Sequence, residues 1–478
     1  MRAALVAITL ALLAGPAVAG QYEDGAAAFD RKDYAAAMRF WRPLADQGDG
    51  KAQTVLGAMY DKGLGMPKDF GLAVKWYRLA ADQGIALAQF GLAIAYANGH
   101  GVPKDDGLAV KWFRLAADQG DVDAQVYLGA RYTAGQGVVP KDDVIAMKWY
   151  RLAADQGNAL AQVSLGIGYS IGQGVPKDDA QAMKRYRLAA DQGNATAQGR
   201  LGFIYANGRG VPKDNGLAVK WYRLAADQGD ADAQNYLGTM YFFGVEVPKD
   251  NGLAVKWYRL AADQGNAAAQ LHLGDMYAGG QGVPNDNGLA VKGYRLAADQ
   301  GNAAAQGRLG WMYAGGLGVP KDDQLAVKWF QLAAAQGAAD AQNYLGFMYA
   351  NGRGVPKDNG LAVKWYRLAA DQGSAEAQSA LGIMYASGQG VLKDYETAAS
   401  WFRLAADQGN ADAQSMLGAM YADGGGVPKD DVLAYMWSNL GAAGGAEWGG
   451  KNRDAFATRM TREQIAEAQR LSREWKRK

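Results

Sequence analysis

The sequence predicts an all-α solenoid of antiparallel helix pairs. A nine-residue phrase, Trp76 to Gly84, recurs with successive starts 36 residues apart and a single interval of 37. Each period holds two stretches with helical patterning, separated by a loop that contains Gly and Pro. Hydrophobic residues make up 49% of the chain, enough to bury a continuous core. A fixed period of this size indicates a repeat architecture rather than several globular domains. Copies begin at Trp112, Trp149, Trp221, Trp257, Trp365 and Trp401, and altered copies at Phe40, Arg185, Gly293, Trp329 and Trp437.

Residues 1–19 have the pattern of a signal peptide. Arg2 precedes an apolar stretch over residues 3–13, and Ala17-Val18-Ala19 forms a small-residue cleavage site. The stretch is shorter than the roughly 20 residues that span a bilayer. We expect cleavage, with an uncleaved anchor as the alternative, and no transmembrane segment afterwards. The mature protein is expected to be exported, to the periplasm or as a secreted protein.

Residues 20–48 are predicted to form N-terminal capping helices, and eleven repeats of about 36 residues are predicted over 49–445. In the first repeat, helix A is predicted over residues 52–62 and helix B over 70–82. Asp49 and Asp69 are placed to cap these helices, and Gly84 can adopt the left-handed conformation that ends helix B. Residues 446–478 are predicted to form C-terminal capping helices, with a helix near 451–460 and a capping box at Thr461 and Gln464.

Helix B is predicted to be buried over a wide arc, with Lys75, Arg78 and Asp82 facing solvent. A glycine recurs inside helix A, as at Gly57, and its cost of about 1 kcal/mol against Ala indicates a close approach between helices. Gly293 replaces the Trp of the phrase, which weakens helix B and leaves a Trp-sized gap unless neighbouring helices close in. We therefore expect a softer joint at Gly293. The predicted arc comprises Leu72, Ala73, Trp76, Tyr77, Leu79 and Ala80.

The pattern AQxxLGxMYxxGxGVPKDxxxAxKWYRxAADQG resembles the Sel-1-like repeat, a relative of the tetratricopeptide repeat, over residues 49 to about 445. The resemblance implies a right-handed superhelix of antiparallel helix pairs and a role as an adaptor or scaffold. Exported bacterial members of that family are associated with envelope assembly, signalling and host interaction. The family shares no catalytic residues, so none can be assigned to this chain.

Composition and motifs argue against several other classes of function. Fifty basic and 48 acidic residues are interspersed, which gives no basic patch for nucleic acid. The absence of Cys excludes disulfides, thiol catalysis and cysteine-ligated zinc. His100 and His272 are too far apart in the repeat array to share a metal ion. No nucleophile elbow, phosphate loop or calcium loop is present. We therefore expect no enzyme activity, no cofactor and no metal.

The candidate binding residues lie where the repeats differ from one another. Residues 201–229 and 345–373 are identical except for Ile204 and Met348, so variation along one face of helix A stands out. The spacings place each variable set on a single helical face. We interpret these sets as a partner-binding lane on the concave side, and packing between repeats is the alternative. The set is Arg200, Phe203, Asn207, Tyr236, Thr239, Phe243, His272, Asp275, Arg308, Trp311, Tyr344, Phe347 and Asn351.

The leading hypothesis is a non-enzymatic scaffold of the cell envelope that binds a protein or peptide of unknown identity. A peptidoglycan or other wall-glycan binder, acting through aromatic stacking, is the second hypothesis. A wall-remodelling hydrolase is the third, although no acidic pair for glycoside cleavage can be singled out. The sequence leaves the partner and the oligomeric state open.

Overall fold

The structure is a computed structural model that describes the backbone of residues 16–476 and the side chains of residues 20–476. In this range every regular element is an α-helix, which confirms the predicted fold class. The predicted signal peptide, residues 1–19, lies outside the residues whose side chains are described. No helix between 16 and 476 is sufficiently long and apolar to cross a membrane.

Twenty-four helices form twelve antiparallel pairs, each made of a helix A followed by a helix B. The helices A are α1 (Pro16–Asp30), α3 (Gly50–Lys62), α5 (Ala86–Asn98), α7 (Val122–Ala134), α9 (Ala159–Ile171), α11 (Ala195–Asn207), α13 (Ala231–Phe243), α15 (Ala267–Gly279), α17 (Ala303–Gly315), α19 (Ala339–Asn351), α21 (Ala375–Ser387) and α23 (Ala411–Asp423). The helices B are α2 (Tyr34–Asp46), α4 (Phe70–Asp82), α6 (Asp106–Asp118), α8 (Asp143–Asp155), α10 (Asp179–Asp191), α12 (Asn215–Asp227), α14 (Asn251–Asp263), α16 (Asn287–Asp299), α18 (Asp323–Ala335), α20 (Asn359–Asp371), α22 (Tyr395–Asp407) and α24 (Asp431–Ala443). Two further helices, α25 (Glu447–Ala457) and α26 (Arg462–Glu474), follow the last pair.

The chain divides into two compact units, Met1–Ala233 and Gln234–Lys478. Within each unit a helix packs mainly against the helices before and after it in the chain, as expected for a solenoid. The helices A also approach one another, α3 with α5 in the first unit and α21 with α23 in the second. No two successive helices B in the described residues approach to that extent. At these two places the helices A of neighbouring repeats are closer to each other than the helices B are.

The predicted caps define most helix boundaries. Asp69 accepts a hydrogen bond from the Leu72 backbone N–H, and α4 covers the predicted residues 70–82. Gly84 has the predicted positive φ, +87°. The predicted start of helix A was wrong by two residues, since α3 begins at Gly50 directly after its cap Asp49. The same cap is formed by Asp105, Asp142, Asp178, Asp214, Asp250, Asp286, Asp322, Asp358, Asp394 and Asp430.

The recurring glycine of helix A receives the second aromatic ring of the phrase. A Cβ atom added at Gly57 would lie 2.6 Å from the Tyr77 ring, and one added at Gly346 would lie 2.7 Å from the Tyr366 ring. No side chain larger than hydrogen fits at this distance without displacing the ring. The close approach predicted from the glycine is therefore confirmed, and its cause is a buried aromatic ring.

A buried glutamine in helix A connects three successive helices. Gln89 donates to the Ala81 carbonyl of the preceding helix B (3.3 Å) and accepts from Gln119 of its own repeat (2.8 Å). Gln342 makes the same two contacts in the second unit, with Ala334 and Gln372. Both ends of the buried amide are thus satisfied, as burial of a polar group requires. The Gln of the phrase is a structural residue.

Two residues of helix B differ from the predicted arc. Leu79 was predicted to be buried but is 42% exposed, and its counterparts in later copies are exposed as well. Arg78, predicted to face solvent, is half-buried and donates to the Tyr96 hydroxyl of the next repeat. The equivalent Arg114 donates to Tyr132 at 2.6 Å. Neighbouring helices therefore cover the Arg side of helix B and leave the Leu side open.

Departures from the repeat pattern have local consequences. At Gly293, an added Cβ would lie 2.8 Å from the Gln270 carbonyl oxygen, so the neighbouring helix has closed in where other repeats hold Trp. Arg185, which also replaces that Trp, pairs with Asp155 at 2.8 Å. Glu246 adopts a φ of 55°, at a loop position where other copies carry Gly. Left-handed backbone costs a non-glycine residue about 1 kcal/mol.

The C-terminal helices cover the last pair. The first of them is α25, which begins four residues before the predicted start and ends three before the predicted end. Thr461 and Gln464 form the predicted capping box of α26. Ala468 is fully buried against the core of the last pair, and the Trp475 ring contacts the Trp437 ring at 6.4 Å.

Candidate functional site

The structure places the variable residues on the exposed face of the helices A. They occupy three positions of helix A that recur every 36 residues: a first row that includes Tyr236, a second row that includes Thr239, and a position at the helix end that includes Phe243. Trp311 is 46% exposed, and Tyr236, Tyr344 and Phe347 are each 40% exposed. Phe243, at the end of α13, is 67% exposed. Arg200, Phe203 and Asn207 lie on α11 in the first unit, and the other predicted residues lie in the second.

The first row, which contains Tyr344 and His272, also packs against the preceding helix B. The Tyr344 ring stacks on the Phe330 ring at 5.3 Å, and the His272 ring lies 5.0 Å from the Tyr258 ring. Tyr127 stacks on Phe113 in the same way (4.7 Å) but was not in the predicted set. One side of each ring serves the stack, and in Tyr344 the rest reaches solvent. A residue of the first row can therefore pack against the preceding helix B and still present part of its side chain to a partner.

The second row, with Thr239 and Asp275, is tied to helix B of its own repeat. Tyr258 donates from its hydroxyl to the Thr239 hydroxyl (3.1 Å), and Tyr294 donates to the Asp275 carboxylate (2.8 Å). Burial raises the pKa of Tyr294, and the charge of Asp275 raises it further. Tyr294 therefore remains a hydrogen-bond donor at neutral pH.

Asp275 also joins two repeats through Arg308, whose Nε lies 3.4 Å from the carboxylate. Both side chains stay substantially exposed, 61% for Arg308 and 41% for Asp275. An ion pair with this exposure contributes little to stability, about 0–1 kcal/mol. The Arg308 guanidinium and the Asp275 carboxylate are both available to a partner. Because both remain in contact with water, breaking their ion pair leaves no buried, unpaired charge.

His272 lies beside this pair and is half-buried. Its Nδ1 is 3.0 Å from the Asn235 side-chain oxygen. Burial lowers the pKa of His272, and the Asp275 charge acts in the opposite direction. Nδ1 is assigned as the donor, because the amide oxygen can only accept. The histidine is thus held neutral in a polar contact between α13 and α15.

Two arginines beside the helix A face escaped the sequence prediction. The Arg209 guanidinium lies 4.9 Å from the Phe203 ring centroid, and that of Arg353 lies 5.8 Å from Phe347. Asn207 and Asn351 each donate to the carbonyl of these phenylalanines at 2.9 Å, within their own helices. The arginines occupy the variable position of the Gly-x-Gly loop, which was a usable signal.

Arg353 is further bonded to Asp323 of the preceding helix B, at 2.6 Å. Hydrogen bonding to the Arg353 guanidinium lowers the pKa of Asp323. Ile383 and Met416 were also missed, although they continue the two rows at the same 36-residue register and are 46% and 40% exposed.

No group of three or more His, Cys, Asp or Glu side chains with metal-binding geometry occurs in residues 20–476. Exposed aromatic rings, arginines and a weak ion pair on one surface are typical of protein interfaces, where aromatic residues and Arg contribute most of the binding energy.

A family model for the Sel1 repeat matches the chain in twelve consecutive segments, including residues 17–49, which were predicted as a cap. The crystal structure of c5321, a protective antigen present in uropathogenic Escherichia coli strains, shares 37% identity with a TM-score of 0.81, over 92% of this chain and 94% of that one. A Sel1 repeat protein from Oxalobacter formigenes shares 36% identity with a TM-score of 0.48, over 68% and 92%. No curated protein matches significantly. The segments are 17–49, 50–85, 86–121, 122–158, 159–194, 195–230, 231–266, 267–302, 303–337, 339–374, 375–410 and 411–445.

Proposed function

Because the chain belongs to the Sel1 repeat family, we propose that it is a non-enzymatic scaffold that binds a protein or peptide on the helix A face. Its fold is a Sel1 and tetratricopeptide-like repeat scaffold, and such solenoids commonly mediate protein–protein interactions. The observation that carries the proposal is the group of exposed large side chains on two successive helices A, Trp311 on α17 and Tyr344 and Phe347 on α19. The conserved phrase cannot serve this purpose, since its aromatic rings, Arg and Gln are used within the stack.

Location in the cell envelope is part of the proposal. The amino-terminal sequence has the pattern of a signal peptide. The related c5321 is a protective antigen present in uropathogenic Escherichia coli strains. Both observations support a site of action outside the cytoplasm.

The proposal is tested by removing side chains that the stack does not need. Trp311→Ala combined with Phe347→Ala deletes two exposed rings of the helix A face, and Leu296→Ala combined with Leu332→Ala is the control on helix B. The leucines are 47% and 51% exposed, so the control deletes a similarly accessible apolar surface. Each purified protein is used as bait in an envelope extract, and bound proteins are quantified by mass spectrometry.

We expect recovery of the partner to fall at least tenfold for the helix A variant and to be unchanged for the control. Melting temperatures should stay within about 2 °C of the wild type for both. Equal recovery by all three proteins would refute the proposal, as would a large fall in melting temperature that accounts for the loss.

A wall glycan is the second candidate, because Trp311 and Tyr344 expose flat ring surfaces on which sugars can stack. Sedimentation with isolated sacculi separates the two. Binding to protein-free sacculi that is lost in the helix A variant supports the glycan, and binding only in the extract supports the protein.

A further inference from the structure

The C-terminal part of the helix A face carries an exposed, large apolar side chain on each of three successive helices A and on the cap. Phe347 on α19, Ile383 on α21 and Met416 on α23 are 40%, 46% and 40% exposed, and Trp448 on α25 is 55% exposed. Tyr344 lies beside Phe347 in the other row. Large apolar side chains grouped on one face of a soluble protein indicate an interaction site rather than scattered exposure.

An acidic residue flanks this apolar surface on each of the three helices A. Asp340, Glu376 and Asp412 each stand at the second position of their helix, four residues before the first-row position, and are therefore on the same face. All three are exposed, and none has an ion-pair partner in the described residues. At this position α15 and α17 have Ala268 and Ala304, and earlier helices A have isolated acids at Asp123 and Asp232. Three consecutive helices A with an acid there occur only at α19, α21 and α23.

The cations near this surface are already engaged. Arg353 is bonded to Asp323 at 2.6 Å. Lys451 lies 3.7 Å from Glu447 and 4.5 Å from the Trp448 ring centroid. Neither compensates the acidic row, so the negative charge of the surface is open to a partner.

The surface ends in a pocket where its apolar and acidic components meet. A cavity of about 240 Å³ lies between α23 and the cap, and Asp412, Met416, Trp448 and Asn452 line it. Its volume suits one long side chain. A lysine or arginine in this pocket would place its apolar stem against Met416 and Trp448 and its charge near Asp412.

From this arrangement we infer that the surface of α19, α21, α23 and α25 binds a cationic amphipathic segment of a partner protein, in which Lys or Arg alternates with large apolar residues. This inference rests on the proposed function and specifies the chemistry of the partner. Anionic membranes do not fit, because the exposed carboxylates would repel them. A second copy of this chain is the other candidate for covering this surface, and the experiment distinguishes it from a cationic partner.

The test is a titration of the mature chain with synthetic peptides, followed by fluorescence anisotropy. The probe is a labelled 15-residue peptide of alternating Lys and Leu, and the matched probe has Glu in place of Lys. The first variant combines Asp340→Asn, Glu376→Gln and Asp412→Asn. The control combines Asp263→Asn, Asp299→Asn and Asp371→Asn, which removes the same charge from exposed positions on the helices B.

The cationic probe should bind the wild type and the control equally, and the first variant about tenfold more weakly, since three exposed charge pairs are lost. The Glu probe should not bind. A Trp448→Ala variant should weaken the cationic probe as well, in a manner that does not depend on salt concentration. These results support the inference.

Equal weakening in both charge variants would show attraction to net charge alone and overturn the inference. So would a wild-type dimer in sedimentation equilibrium that dissociates on Ile383→Asp, because the surface would then be covered by a second copy. If the cationic probe fails while Trp311 and Phe347 still govern recovery from the extract, the inference is wrong and the proposed function stands.

Discussion

The contact between an aromatic ring and a helical glycine sets how closely the two helices of a repeat approach. Phe330 on α18 is almost completely buried, and its ring lies where a Cβ at Gly310 on α17 would be, 2.7 Å away. Glycine lowers the stability of the helix by about 1 kcal/mol relative to Ala. Because it has no side chain, the aromatic ring packs directly on the helix backbone, which explains why the glycine and the aromatic residue recur together.

Two glycines of α17 provide an internal comparison. A Cβ at Gly307 has no atom within 4 Å, so Gly307→Ala should raise the free energy of unfolding by about 0.5–1 kcal/mol. Gly310→Ala should lower it by about 1–3 kcal/mol, because the methyl group overlaps the Phe330 ring. Urea midpoints and hydrogen exchange of α17 measure both. A rise in stability for both variants would show that the ring moves aside at no cost.

His272 is expected to make local stability dependent on pH. Its pKa in the folded protein is below the ordinary value of 6.5 because of burial. Above pH 6.5 both states are neutral and its contribution to stability is complete. As the pH falls below 6.5 the unfolded chain takes the proton first, and stability is lost until the folded-state pKa is reached.

Between pH 7.5 and pH 5, the wild type should therefore lose more stability than His272→Gln, by at most about 1 kcal/mol for a partly exposed group. Urea unfolding at both pH values measures the difference between the two losses. A loss that is the same in both proteins would mean that Asp275 offsets the effect of burial.

The residue-level contacts could be predicted only where they are local in sequence. Asp69 caps the N–H of Leu72, three positions later, and was interpreted correctly. Gly57 indicated a close approach between helices, but the pattern did not identify Tyr77 as the ring that fills it. The bond between Arg353 and Asp323 joins residues 30 apart and depends on how two repeats are offset, which no helical pattern contains. The same applies to Tyr294 and Asp275.

At the scale of the element, helix B shows the limit of a helical wheel. The wheel identifies an apolar arc, but it cannot say which edge of the arc the next repeat will cover. Leu79 falls on the open edge, and Arg78 falls on the covered edge, where it reaches Tyr96. Helix A was more predictable, because variation between copies marked its exposed face independently of hydrophobicity.

The helix α16 should open more readily than its neighbours. It lacks the phrase Trp, and Gly293 lowers its intrinsic helix stability by about 1 kcal/mol against Ala. The approach of Gln270 fills the gap but adds no large buried side chain. We predict that amides of α16 exchange faster than those of α18, which keeps Trp329, by roughly five- to tenfold.

Hydrogen exchange with mass spectrometry measures this comparison within one sample. Gly293→Ala is the informative variant, since its Cβ would lie 2.8 Å from the Gln270 carbonyl. It should exchange faster still, despite the better helix propensity of Ala. Equal rates in α16 and α18 would contradict the softer joint.

For the molecule as a whole, each repeat provides hydrogen-bond partners and packing surface for the repeat that follows. This series ends at the last pair. The glutamine contact runs from Gln408 to Gln378 but has no successor, because Gly444 stands where the next Gln would be. Within the part of the chain that the structure describes, the Gln414 side chain keeps only its bond to the Ala406 carbonyl. Stability of a solenoid is a sum over neighbours, so its final repeat depends on the cap.

The cap helix α26 supplies that final neighbour, and Ala468 is the residue of this helix that is fully buried in the contact. Ala468 is fully buried against the last pair, whereas Ala466 on the same helix is exposed. Ala468→Arg should undock α26, because the interface has no room or partner for a charge. Ala466→Arg makes the same substitution at an exposed position of α26 and should leave the helix docked.

Hydrogen exchange of α24 is the direct measurement, because undocking exposes Trp437 and its neighbours. In Ala468→Arg, protection of α24 should fall to the level seen when the chain is ended after Gly445, while α15 and α16 keep wild-type protection. This separation follows from nearest-neighbour stability, since the loss of one interface is not transmitted over several repeats. Loss of protection along the whole second unit would instead mean that these repeats unfold as one cooperative body. The proposed binding surface on α19 to α25 would then require a docked cap.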